Sequence, residues 1–366
     1  MNIALNTIPA STRKPGTYFE FNTSLAVNTL PSNAQSLLLV VPLLDAGTMP
    51  PLVATVVYDA PSAFALTGST VAQAMVAAAI KANRYLQISL VGIKVVGDAE
   101  PDITPALDAT ATGDYTQVVS AWQSTIALTA MRTHIEEVTN SINQKSLLGV
   151  AAVVGTLTAA TTLASALNSA PITLALLPGT AYTAAELAAA YAAVIASESD
   201  PARPLNTLAL TGVPVPAIAN RLSRNEQETA LLNGVTPLEV GPGEVVQIVR
   251  AISTYTKSEA GTADVSMLDI TTMRTLYYVR QACRERVALR FPRSKNTARI
   301  AASVRGELLD VLKKCEALEV VENVDANADG LVVEKSATDA NWLVASIPAD
   351  VVNGLHVFAG VINLIL

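Results

Sequence analysis

The chain is poor in the side chains that carry most enzymatic chemistry. It holds two cysteines and two histidines in 366 residues. Cys283 and Cys315 form no Cys-x-x-Cys pair and no Cys/His cluster, which argues against a disulfide framework or a zinc site and leaves both as buried free thiols. A nucleophilic enzyme needs a nucleophile, a base and an orienting group. The imidazoles on offer are His134, beside Glu136 and Glu137 on a helix that reads as polar and solvated, and His356, which opens the last apolar run. There is no Gly-x-Ser-x-Gly elbow, no P-loop and no Gly-x-Gly-x-x-Gly after a strand, so neither a hydrolase nor a nucleotide-binding fingerprint is present. No cofactor is expected. Charged residues make up only 15% of the chain, which fits a surface covered by further copies of itself. Met1 to Pro15 has no apolar core of the signal-peptide kind.

Apolar residues, by contrast, make up 51%, with alanine abundant and aromatics at 4%, a composition suited to closely packed α/β layers. Apolar runs at Leu37–Val41, Val53–Tyr58, Leu86–Ile93, Gln117–Ala121, Leu147–Val154 and Ile172–Leu177 read as strands. Between and after them Ser69–Asn83, Thr125–Asn143, Thr156–Ser169 and Thr183–Ser197 read as helices. Thr183 and Glu186 stand at capping-box spacing. This alternation predicts a mainly parallel sheet flanked by helices. Ser146 to Ala185 carries no charge, yet Asn168, Pro171, Pro178 and Gly179 break it, so it is expected to be a buried βαβ unit rather than a membrane span. Past Asp200-Pro201-Ala202-Arg203-Pro204 the pattern changes. A helix over Ser223–Asn233, a hairpin around Gly241-Pro242-Gly243, two long helices (Met267–Leu289 and Thr297–Ala317) and short strands (Leu331–Glu334, Asn341–Ile347) predict an α+β second domain. The expected division is an arm at 1–24, an α/β domain at 25–204, a second domain at 205–349 and a C-terminal strand at 350–366.

Both ends read as arms. Thr17 to Phe21 alternates like a short strand, with Tyr18, Phe19 and Phe21 as its large side chains. His356 to Leu366 reads as a strand so apolar, through Val357, Val361 and Leu364, that it must be buried. It either pairs in its own sheet or is donated to another subunit. Asp325-x-Asn327-x-Asp329-Gly330 copies the first half of a calcium loop, but the twelfth position is Ser336 in place of a bidentate Glu, so a solvated turn is expected and no metal.

The charge is unevenly spread. Between Thr271 and Ile300 there are seven Arg and one Lys against a single acid, Glu285, in a chain of net charge −7. Surface pairing, nucleic-acid binding and docking onto an acidic protein are the readings this leaves. The scarcity of local acids weighs against the first, and the acidic remainder of the chain and lack of interleaved aromatics against the second.

Five stretches then resemble one family. They are Arg13-x-Pro15-Gly16-Thr17-Tyr18-x-Glu20, Asp200-Pro201-Ala202-Arg203-Pro204-Leu205-x-Thr207-Leu208, Arg250 to Tyr255 with Ala260-Gly261-x-Ala263-Asp264-x-Ser266-x-Leu268-Asp269, Arg284-x-Arg286-x-Ala288-Leu289-x-Phe291-Pro292-Arg293, and Ile347-Pro348-Ala349-Asp350-x-Val352-Asn353-x-Leu355. In that order they resemble contractile tail sheath proteins of bacteriophages, in the phage Mu-like branch. The resemblance implies a structural protein rather than an enzyme, with a subtilisin-like sheath domain, a second sheath domain and extended arms. It implies hexameric rings stacked around a tail tube, held together by strands exchanged between subunits, with baseplate and terminator proteins at the ends. Neither nucleic-acid binding nor membrane insertion is implied. The expected location is the virion tail, assembled in the host cytoplasm, although bacteriocin-like and other injection devices share the plan. By this resemblance Arg280, Arg284, Arg286 and Arg290 are the expected tube contacts, and Tyr18, Phe19, Phe21, Val357, Val361 and Leu364 belong to the exchanged arms. Larger members carry an inserted domain where this chain has only an acidic loop between Ile93 and Tyr115, which implies a slim sheath.

Overall fold

The structure is a computed structural model that describes residues 14–17, 30–97 and 99–365. The expected N-terminal strand residues Tyr18, Phe19 and Phe21 lie outside the described residues.

Eight strands form one sheet: β1 (Ser36–Leu43), β2 (Thr55–Val57), β3 (Gln87–Lys94), β4 (Gln117–Ser120), β5 (Leu148–Val153), β6 (Ile172–Leu176), β7 (Thr236–Gly241) and β8 (Val245–Ile248). Their spatial order is β2-β3-β1-β4-β5-β6-β7-β8. The six strands from β3 to β7 run parallel, and β2 and β8 close the two sides antiparallel. The hairpin β7–β8 puts residues 236–248 in this sheet, so the sheet runs past the boundary expected at 204/205.

A parallel strand with helices on both sides buries both its faces, and the alternation in β1 reports this. Leu37, Leu39 and Val41 join one core, built with α1 (Ala60–Thr67), α2 (Thr70–Ala82) and α6 (Ala184–Ile195). Leu38 and Val40 join the other, built with α3 (Thr104–Thr110), α4 (Thr125–Thr139) and α5 (Leu157–Leu167), with Ala230 of α7 (Arg224–Leu232) at its margin. The capping box expected at the start of α6 is formed, and Ser223 and Glu226 form a second at α7. Helix α1 escaped the sequence reading because Pro61 and an eight-residue length obscured it. Its ends are nonetheless set by an Asp59 cap and by Gly68, whose φ of 68° ends the helix in the left-handed region.

Inside the sheet a polar knot replaces apolar packing. The Thr173 hydroxyl lies 2.9 Å from the Tyr191 hydroxyl and donates to the Ile252 carbonyl at 2.7 Å, while Thr236 accepts from the Ile252 N–H at 2.9 Å. Burial pushes the Tyr191 phenol up to about 12, so this group is a fixed tie between α6, β6 and β7.

The remaining chain folds around an antiparallel helix pair, α8 (Ile270–Arg290) and α9 (Ala298–Ala317), with its own core that includes both cysteines. Burial raises their thiols to about 12 at Cys283 and about 11 at Cys315. Two small antiparallel ribbons complete it. β9 (Val321–Glu322) pairs with β12 (Asp350–Val351), and β10 (Val332–Lys335) pairs with β11 (Leu343–Ser346).

Candidate assembly surfaces

The basic helix does not present its arginines alike. Arg286 is 2% exposed, and its Nη1 reaches Glu307 at 2.8 Å and Asp310 at 2.6 Å, both on α9. Arg280 donates to two backbone carbonyls beyond its own helix, Thr139 at 2.7 Å and Lys145 at 2.6 Å, and stacks on Tyr277 with its guanidinium carbon 4.9 Å from the ring centre. It thereby satisfies carbonyls at and beyond the end of α4, which have no partner within that helix. Arg274 is buried against the Glu198 carbonyl, and burial lowers its pKa to about 10. Arg284 and Arg290 face solvent, with a weak contact to the Gln144 carbonyl at 3.4 Å and an ion pair to Glu307 at 3.7 Å respectively. Arg293, Lys295 and Arg299 extend this exposed positive face over the α8–α9 turn.

At the other end of the chain, no strand forms over residues 356–365, which pair with no strand among the described residues, and the expected burial does not hold there. From Val357 onward the side chains stand in solvent, with Val357 at 78%, Val361 at 85%, Ile362 at 100% and Leu364 at 84% exposure. The ribbon β10–β11 has no third strand among the described residues. Between this ribbon and the helix pair runs an apolar groove of about 620 Å³, lined by Val279, Val287, Phe291, Val333, Leu343 and Ala345 among others.

The remaining candidates resolve as structural parts. His134 is buried on the inner face of α4, not solvated, because the helix turns Glu136 and Glu137 outward and His134 inward. Burial holds its pKa below the ordinary histidine value despite Asp108 at 3.9 Å. In the calcium-like turn, Asp325 pairs with Lys313 at 2.7 Å, and Arg305 takes the Ala328 and Leu331 carbonyls. Among the described residues no cluster of three or more His, Cys, Asp or Glu is arranged to hold a metal, and no helix is long and apolar enough to cross a membrane.

Two family models match the chain. Residues 97–254 match the phage tail sheath protein central domain, and residues 262–365 match the phage tail sheath C-terminal domain. The chain belongs to the phage tail sheath family. The Mu-like prophage FluMu tail sheath protein of Haemophilus influenzae is 28% identical over 283 residues, which cover 74% of this chain and 58% of that relative, so the chain spans little more than half its length. Among solved structures, the sheath tail protein of Desulfitobacterium hafniense superposes with a TM-score of 0.67 at 11% identity, covering 93% of this chain and 97% of its own. The anti-feeding prophage helical sheath in its contracted state gives 0.64 at 16%, covering 97% and 99%. At these identities the likeness is one of fold.

Several sheath-like motifs of the sequence turn out to be internal fastenings. Arg250 grips Asp269 through two nitrogens at 2.8 Å each. The Tyr255 hydroxyl donates to Asp264 at 2.8 Å. Thr254 exchanges side-chain hydrogen bonds with the Ser169 backbone, and Asn168, at φ 37°, accepts from the N–H groups of Thr256 and Lys257. These bonds lock the loop between the sheet and α8, so the motif ending at Leu268-Asp269 fixes where the basic helix starts. The sequence marked Asn168 only as a breaker and Thr254 only as part of the Arg250–Tyr255 motif, because both bond mainly to backbone groups, which leave no signature in sequence.

Proposed function

We propose that this protein is the structural subunit of a contractile tail sheath. It polymerises as stacked hexameric rings around a tail tube and shortens to drive the tube through a host envelope. The observation that carries this is a matched pair of incomplete parts in one chain, an exposed apolar tail and an open-edged ribbon beside an apolar groove. A two-stranded ribbon is marginal alone and gains from a third strand. The tail of a second copy supplies one, through main-chain bonds along the edge and apolar side chains into the groove. Because each subunit gives a strand at one place and accepts one at another, the contact is head-to-tail and propagates into rings and helices. Such a link survives rotation of the bodies it joins.

The tube-facing surface in this proposal is narrower than the resemblance implies. Arg284 and Arg290, joined by Arg293 and Lys295, meet an acidic tube, whereas Arg280 and Arg286 hold the helix that presents them. Solvent-exposed pairs of this sort contribute little each and are readily broken, as contraction requires. The sheath also meets baseplate and terminator proteins at its ends, and resides in the virion tail after assembly in the host cytoplasm. The parts of the N-terminal arm at Tyr18, Phe19 and Phe21 serve the same exchange.

The test is truncation after His356. The shortened protein should keep its melting temperature, since the described side chains it loses are exposed, and should lose the hollow tubes that the full chain forms under the electron microscope. Tubes from the truncated protein would overturn the proposal.

A further inference from the structure

Among the described residues, the last polar contact of the C-terminal tail with its own subunit is made by His356. The ring is mostly buried, with its side chain 12% exposed, while every described residue after it is exposed. The Asn206 amide donates to Nδ1 at 2.9 Å, and Nε2 lies 3.5 Å from an oxygen of Asp269. With Nδ1 accepting, the neutral ring carries its proton on Nε2, facing that carboxylate. Gly354 presses on the same cluster. A Cβ there would stand 2.6 Å from Pro204 Cγ and 2.7 Å from His356 Nε2, so only glycine lets the chain pass. Three segments far apart in sequence therefore meet at the root of the tail: Pro204 and Asn206, the Arg250–Asp269 pair, and 354–356.

We propose that His356 is a proton-controlled anchor that sets where the C-terminal strand leaves its subunit, fixed when the ring is neutral and freed when it is protonated. This rests on the tail being the exchanged strand. A protonated Nδ1 can no longer accept from Asn206, and two donors then face each other. The amide can answer by turning over, which exchanges a buried oxygen that has no partner for a buried N–H₂ that has none, so the turn gains nothing to offset the buried charge. The charged groups facing the ring are Asp269 and Arg250. Asp269 favours the cation, but its oxygens are shared with Arg250, Arg250 repels the ring, and burial outweighs the carboxylate. Burial disfavours the charged ring first, Asp269 opposes this, and Arg250 adds to it, so the ring's pKa lies below the ordinary histidine value. A group held neutral in this way contributes fully above its free pKa, and its contribution is lost as pH falls through the histidine range. Acid thus loosens the root while the sheet remains folded. Strand donation becomes sensitive to pH at a single side chain.

A spin label at Val357→Cys, next to the anchor, tests this on dilute, unassembled protein, because the two native cysteines are buried. The label should be restricted at pH 8 and mobile at pH 5. With His356→Asn, whose side-chain oxygen can replace the Nδ1 acceptor without titrating, it should stay restricted at both values. With His356→Ala it should be mobile at both. A second label at Tyr85→Cys, on an exposed tyrosine just before β3, toward the opposite side of the sheet from β8, should not respond. An unchanged wild-type spectrum, a pH response that survives in His356→Asn, or a parallel change at Tyr85→Cys each overturns the proposal. Tube formation is not read in this assay, so failure of the sheath reading would appear in the truncation experiment and not here.

Discussion

Replacing Arg286 by methionine should destabilise the helix pair more than any other single loss of charge on α8. Its guanidinium joins Glu307 at 2.8 Å and Asp310 at 2.6 Å, with the arginine side chain 1% exposed and the acids 29% and 43% exposed. Removing one partner of a fully buried pair costs about 3–5 kcal/mol. Two features reduce that here. The acids are partly wet, and they keep second cations, Arg290 at 3.7 Å from Glu307 and Lys314 at 2.9 Å from Asp310. A loss of about 2–3 kcal/mol is therefore expected, with methionine holding most of the volume. Urea unfolding followed by circular dichroism and tryptophan fluorescence measures it, since Trp342 is tied through its carbonyl to Asn296 in the α8–α9 turn. Adding Glu307→Gln and Asp310→Asn should recover more than half of the loss. The pH dependence has a definite sign. Burial raises the Asp310 pKa but the bonds from Arg286 and Lys314 outweigh it, so the net shift is downward. The carboxylate's contribution is then present above the ordinary aspartate value and fades as pH falls through its lowered one, so wild type and variant should converge in acid. A loss below about 1 kcal/mol, the value of a surface pair, or a difference that widens on acidification, would refute the buried-pair account.

Arg284→Glu should leave the melting temperature unchanged and weaken extended tails while sparing contracted tubes, as seen by counting each form in micrographs at low and moderate salt. If both forms are lost equally, Arg284 serves assembly and not the tube contact. Gly149→Ala should cost about 1–3 kcal/mol through overpacking, because the new methyl would meet Ile135 at 2.7 Å and Met131 and Ile172 at 3.1 Å. Calorimetry would register this as a drop of several degrees, and an unshifted transition would mean that α4 can move away from β5.

The sheet was legible because burial on two faces writes itself into sequence as unbroken apolar runs. Leu37–Val41 and Ile172–Leu177 could hardly be anything else once their lengths were set against the helices between them. The capping box at Thr183 and Glu186 marked a helix start to the residue. The basic helix was misjudged in part, for a physical reason. Its pairing acids, Glu307 and Asp310, come from the antiparallel neighbour 21 and 24 residues on, so a search of the local sequence found none. Arg280 was harder still, because it binds backbone carbonyls and a carbonyl has no signature in sequence. The apolar C-terminus reads as a strand, yet residues 356–365 form none in the single chain, because a strand needs a partner and the sequence does not say what supplies it. Its exposure in the single chain is the observation on which the strand-donation proposal rests.

Helix α8 has a mechanical consequence. Its 21 residues span about 31 Å. Its start is clamped by the Arg250–Asp269 pair, its middle by Arg280 on the α4 carbonyls, and its far third by Arg286 against α9. A rod held at three points cannot bend or roll when its exposed tip is pulled. These contacts are the route by which a force applied at Arg290 or Arg293 would reach the eight-stranded sheet. The same Asp269 that fixes the start of the rod faces His356 at the root of the tail. In the proposed sheath, the tube-facing helix and the donated strand would therefore be fixed at one carboxylate.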